Sequence, residues 1–106
     1  MATIQAMQRW QTDGYRTLGD LLAAAAQQEL PALTWTLAST GGLIGETPAI
    51  AATRDEQWNA FTMWAHYHGG KVAETLRRDG RTLLSAPLLH AGKRVGILRA
   101  ELPPAA

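Results

Sequence analysis

Two of the three histidines stand one residue apart, in Met63-Trp64-Ala65-His66-Tyr67-His68-Gly69-Gly70. On a β-strand alternate residues share a face, so a His-x-His pair there would chelate one metal ion. On an α-helix residues two apart diverge by about 200°, and helical metal pairs use a spacing of four instead. The flanking residues decide between the two. Thr53-Arg54-Asp55-Glu56 is a capping box, in which the threonine caps the third amide and the glutamate reaches back to the cap. Gly69-Gly70 supplies the left-handed residue that commonly closes a helix. Residues 54–68 are therefore predicted to be helical, with His66 and His68 diverging in a last turn where the helix dipole favours imidazole. His90 is the third imidazole, and no carboxylate has a matching spacing. The sequence predicts neither a metal site nor a cofactor site.

The other residues with chemical potential are scattered. Ser39-Thr40-Gly41-Gly42-Leu43-Ile44-Gly45 has the glycine content of a phosphate loop but lacks the Lys-Ser/Thr ending. It also precedes a strand, so it has no helix N-terminus to supply amides; a hairpin turn is the expectation. Ser39 and Ser85 have no base at a meaningful spacing, and Glu46 and Glu74 fall on separate strands. No nucleophile–base pair or carboxylate pair is legible, and a non-catalytic role is favoured. Arg77, Arg78 and Arg81 at a hairpin tip, with Lys93 and Arg94 at the next turn, form the basic set that would contact nucleic acid. A solvated sheet edge that resists edge-to-edge pairing accounts for the same residues. Of four tryptophans, Trp35 and Trp58 fit core positions, whereas Trp10 and Trp64 are the candidates for anchoring a partner.

The elements that position these residues follow from periodicity and punctuation. Residues 1–16 read as a poorly defined arm closed by Asp13-Gly14. Thr17 or Asp20 caps a helix to about Glu29, with Leu18, Leu21, Leu22 and Ala25 on one face, and Pro31 ends it. Leu33, Trp35 and Leu37 alternate with polar or small residues as a half-buried strand, Ser39–Gly42 turns, and 43–47 returns. The second helix then shows Trp58, Phe61, Trp64, Ala65 and His68 near one stripe. After it the period drops to two. Asp79-Gly80 marks a two-residue hairpin turn that would set Leu76 opposite Leu83 and Thr75 opposite Leu84. One sheet face would hold Leu84, Ala86, Leu88, Val95 and Ile97, and the other Leu76, Leu83, Leu89 and Leu98. Pro87 removes a ladder donor, so a bulge or a break in pairing is expected there.

The expected architecture is a single α+β domain at 17–102, in the order α-β-β-α-β-β-β, with a tail at 103–106. Its sheet is expected to be antiparallel, the last three strands forming a meander. Two apolar faces require either that the helices cover opposite faces or that one face meets another subunit.

Bulk properties bound the function. At 106 residues the chain is one domain, 46% hydrophobic and 18% charged, which is a globular balance. It has no cysteine, which excludes disulfides, thiolate metal sites and cysteine nucleophiles and fits a reducing cytoplasm. No run approaches the ~20 apolar residues that span a bilayer, and the N-terminus lacks a secretory pattern. Residues 1–70 carry three basic against six acidic side chains, and residues 71–106 carry seven against three. The basic C-terminal third points towards an anionic partner.

The segment Leu30-Pro31-Ala32-Leu33-Thr34-Trp35-Thr36, followed by a capped helix with Phe61-Thr62-Met63-Trp64 and an Asp-Gly hairpin, resembles small uncharacterised actinobacterial proteins of phages and integrative elements. The resemblance spans about residues 18–102 and brings no activity, cofactor or site residue with it. The expectation is a small protein-interaction or assembly module that pairs with itself as a homodimer through an apolar sheet face. The alternatives are a nucleic-acid-binding accessory protein, using the basic residues above, and a small-ligand binder or enzyme.

Overall fold

The computed structural model describes residues 3–48 and 53–104. Thr3 opens the first helix, its hydroxyl accepting from the Ala6 amide at 3.0 Å. Helix α1 then runs unbroken over Ile4–Gln27. This corrects the expected arm at 1–16 and the cap at Thr17 or Asp20. Asp13-Gly14 is not a turn: Gly14 is a buried helical residue, and it is small because the chain at Gly41 crosses the helix there. The helix closes where Glu29 takes a left-handed φ of 54°. The Leu30 amide donates to the Ala25 carbonyl and the Glu29 amide to that of Ala26, the paired closure in which glycine is the usual occupant.

Strands β1 (Thr34–Leu37) and β2 (Leu43–Glu46) form the first hairpin, and helix α2 (Arg54–His68) follows. Thr53 caps α2 as expected: its hydroxyl oxygen accepts from the Glu56 amide at 3.1 Å, and the hydroxyl donates to the Glu56 carboxylate at 3.1 Å. Gly69, at φ 69°, closes the helix. Strands β3 (Ala73–Leu76), β4 (Thr82–His90) and β5 (Lys93–Leu102) complete a single five-stranded sheet in the order β1-β2-β5-β4-β3. The chain is thus one α+β domain with the expected order of elements. Its sheet is mixed, however: β2 lies parallel to β5 while the other pairs are antiparallel. The crossover from β2 through α2, β3 and β4 imposes that direction, which strand-by-strand patterning does not encode.

Two registers differ from expectation, each for a local reason. The Arg77 amide donates to the Arg81 carbonyl, and the Gly80 amide to that of Arg77. Only Gly80, at φ 88°, is left-handed in this loop. The connection is therefore a three-residue loop with a glycine bulge rather than a two-residue turn. Leu76 pairs with Thr82 and Thr75 with Leu83. The second shift is a bulge between Leu88 and Leu89, where Leu88 faces Gly96 but Leu89 faces Arg94. Val95 is the extra residue, so the alternation of β5 changes phase. Leu98, not Ile97, consequently joins Leu84, Ala86 and Leu88 in the core, and Ile97 turns to the other face. Pro87 itself is harmless: β3 pairs with β4 only from Thr82 to Ser85, so the proline sits where β4 has no outer neighbour.

One apolar cluster unites Leu21 and Ala25 of α1, Phe61, Trp64 and Ala65 of α2, and Leu43, Leu84, Leu88, Leu98 and Leu102 of the sheet. Both helices therefore cover the same sheet face. Trp64 is its centre, 1% exposed, with its indole N–H donating to the Pro31 carbonyl at 2.7 Å and its ring meeting that of Trp35 edge-on at 5.5 Å. Trp64 is thus not a partner anchor. Trp58, expected in the core, is 39% exposed, because it sits at the edge of the buried stripe Gln57, Phe61, Trp64 and Ala65, about 75° round from its centre. At the start of α2, Arg54 donates to the Thr82 hydroxyl at 3.3 Å and to the Pro103 carbonyl, tying the helix to β4 and the end of β5. Of the expected tail, Ala105 and Ala106 lie outside the described residues.

Candidate functional site

Two surfaces stand out. The first is the uncovered face of the sheet. Ile44, Ile97 and Pro87 lie side by side across β2, β5 and β4. The adjacent row carries Glu46 and Arg99, 3.8 Å apart, and beyond it Glu101 binds Arg81 at 3.1 Å. On the other side of the isoleucines, Arg94 joins Ile44 and Ile97 around a shallow depression of about 270 Å³. The apolar strip of this face is flanked by charges of both signs.

The second surface is a cleft of about 480 Å³ where three elements meet. Helix α1 contributes Asp20, Leu21 and Ala24, the last turn of α2 contributes Tyr67 and His68, and the β4–β5 hairpin contributes Leu89 to Gly92. The hairpin turns on two left-handed residues, Ala91 at φ 52° and Gly92 at φ 77°. Alanine in that conformation carries about 1 kcal/mol of strain, borne by the residue next to His90. His90 Nε2 stands 3.5 Å from the Asp20 carboxylate, beyond the range of a good N–H···O hydrogen bond.

His68 is the half-buried member of the cleft. Its ring stacks on Trp64 with centroids 5.8 Å apart and planes at 14°, and Tyr67 meets it edge-on at 5.2 Å. Its Nε2 is sealed from solvent without a hydrogen-bond partner. Burial lowers the pKa below the ordinary imidazole value, a contact with the Leu89 backbone opposes this, and the charge of a protonated His90 adds to the lowering. His68 is accordingly held neutral at pH 7.

The candidate residues from sequence disperse in the fold. His66 is exposed while His68 lines the cleft, so the pair diverges as helical geometry requires. Among the described residues, no group of three histidine, aspartate or glutamate side chains is placed to hold a metal ion. Glu46 on β2 is separated from Glu74 on edge strand β3 by β5 and β4, about 14 Å at the usual strand spacing, too far to act as a pair. Ser85 faces Arg99 across the ladder. Arg77, Arg78 and Arg81 lie at one end of β4, and Lys93 and Arg94 at the other, so the five do not form one surface. Arg81 is moreover engaged by Asp79 and Glu101. Trp10 is 40% exposed, beside the β1–β2 turn. No helix of the described residues is long and apolar enough to cross a membrane.

Sequence reading missed Asp20 and Tyr67. Asp20 was assigned to a cap, a role that disappears once α1 begins at Thr3, and its approach to His90 depends on a packing that no spacing encodes. The sequence matches no family model, and no curated protein or solved structure matches it.

Proposed function

We propose that the protein is a small, non-catalytic assembly module whose copies pair through the uncovered sheet face. The observation that supports this is the packing of both helices on one side of the sheet, which leaves Ile44 and Ile97 uncovered by either helix. A second copy is the occupant proposed, since a two-fold contact sets this strip against itself with the mixed charges of Arg94, Arg99 and Glu46 around it.

Size sets the strength. A sheet of five strands at about 4.8 Å spacing, with rows about five residues long, offers about 400 Å² per copy. Durable interfaces use about 800 Å² per partner, so pairing is expected in the high micromolar range. A cytoplasmic setting goes with this reading, since the chain has no cysteine. The nucleic-acid reading of Arg77, Arg78, Arg81, Lys93 and Arg94 has less support, because the two groups sit at opposite ends of β4 and Arg81 is already paired.

Sedimentation equilibrium or light scattering up to about 500 μM tests the proposal. The wild type should show reversible dimerisation that Ile97→Asp abolishes without unfolding the chain. Leu76→Asp, on the outer strand, should leave association intact; if it alone abolishes pairing, the contact runs through the β3 edge instead. A monomer mass throughout the range sinks the reading.

A further inference from the structure

We propose that the cleft between α1, α2 and the β4–β5 hairpin binds a small organic cation with an apolar body, a protonated primary amine or an amidinium, with Asp20 as its counter-ion. The volume, about 480 Å³, falls in the range of about 300–1,000 Å³ typical of small-molecule sites. Its walls at Leu21 and Ala24 are apolar and suit a flat or short hydrocarbon body.

The polar groups select the charge of the ligand. Asp20 is the one carboxylate of the lining. His90 Nε2 stands 3.5 Å away, too long for a good hydrogen bond, so the carboxylate is available to a stronger donor. Tyr67 and His68, whose rings meet edge-on at 5.2 Å, line the same cleft, a favourable wall for a cation. An anion finds the reverse. Asp20 repels it, and His68, kept neutral by burial, offers no compensating charge. Lys93 follows Gly92 in the chain but is not part of the lining, and Arg16 precedes Asp20 by one turn of α1 outside the cleft. A metal ion is a poorer match, since the described residues lack a third ligand.

Amide NMR titration of the whole chain tests this, with benzamidine and phenethylamine as cationic probes and benzoate as the anionic control. Both cations should shift the Leu21, Ala24, Leu89 and Gly92 resonances with millimolar affinity. Asp20→Asn should weaken them about tenfold, with an unchanged melting temperature because that side chain is exposed. The proposal is overturned if neither cation gives localised shifts by about 20 mM, if benzoate binds as well, or if Asp20→Asn binds like the wild type.

Discussion

Gly14 of α1 and Gly41 of the β1–β2 turn meet backbone to backbone. A Cβ on Gly14 would lie 2.4 Å from the Gly41 carbonyl oxygen, and one on Gly41 would lie 2.3 Å from the Trp10 carbonyl oxygen. Alanine is the better helix former by about 1 kcal/mol, yet here the clash is with main chain that has nowhere to go. Gly14→Ala should therefore destabilise by about 1–3 kcal/mol in urea unfolding. Five residues on, a Cβ at Gly19 would meet nothing within 4 Å, and Gly19→Ala should stabilise by about 0.5–1 kcal/mol. Equal effects of the two substitutions would contradict this packing of α1.

The closure of α1 holds the opposite opportunity. Glu29 occupies a left-handed site, φ 54°, between two capping hydrogen bonds. Glu29→Gly relieves that conformation and should raise stability by about 0.5–1 kcal/mol. A lowered melting temperature would mean that the glutamate side chain contributes more than its backbone costs.

Trp64 and Trp58 should separate by an order of magnitude in effect. Trp64→Phe removes a buried indole and strands the Pro31 carbonyl that accepts its N–H, a loss of about 2–4 kcal/mol. Trp58→Phe, on the rim of α2, should stay within about 0.5 kcal/mol. Thermal melts of the two variants decide the matter, and comparable losses would place both indoles in the core.

Stability should fall with acid through His68. Its folded pKa is lowered below 6.5, so the unfolded state binds the proton more readily in that window. The free energy of unfolding therefore rises with pH across it, and is lost as pH falls from about 6.5 towards the folded value. His68→Gln should flatten the slope between about pH 5 and 7 in urea midpoints. An unchanged slope would assign the acid sensitivity to other groups.

How far these features were legible depends on the range of the signal. Thr53, Glu56 and Gly69 act within one helical turn, and they located α2 to the residue. The register errors came from single residues whose conformation decides a phase. Asp79 stays right-handed, so the loop gains Arg78 and Leu76 slips to Thr82 instead of Leu83. Val95 bulges, so Ile97 and Leu98 exchange faces. Gly14 misled for a different reason: glycine marks both turns and close approaches, and only the neighbouring Gly41 distinguishes them. The cleft lay beyond sequence altogether, because Asp20, His68 and His90 converge only through the packing of three elements distant in the chain.

The place of β5 carries one more consequence. It is the final strand in the sequence and the central strand in space, parallel to β2 on one side and antiparallel to β4 on the other. Until residues 93–102 are available, the hairpin with α1 and the hairpin with α2 have no shared ladder and no common floor beneath Leu43 and Leu84. On a ribosome the sheet therefore forms only after residues 93–102 emerge rather than progressively. Supplied separately, the same ten-residue strand is the natural piece with which to restore a chain shortened before it.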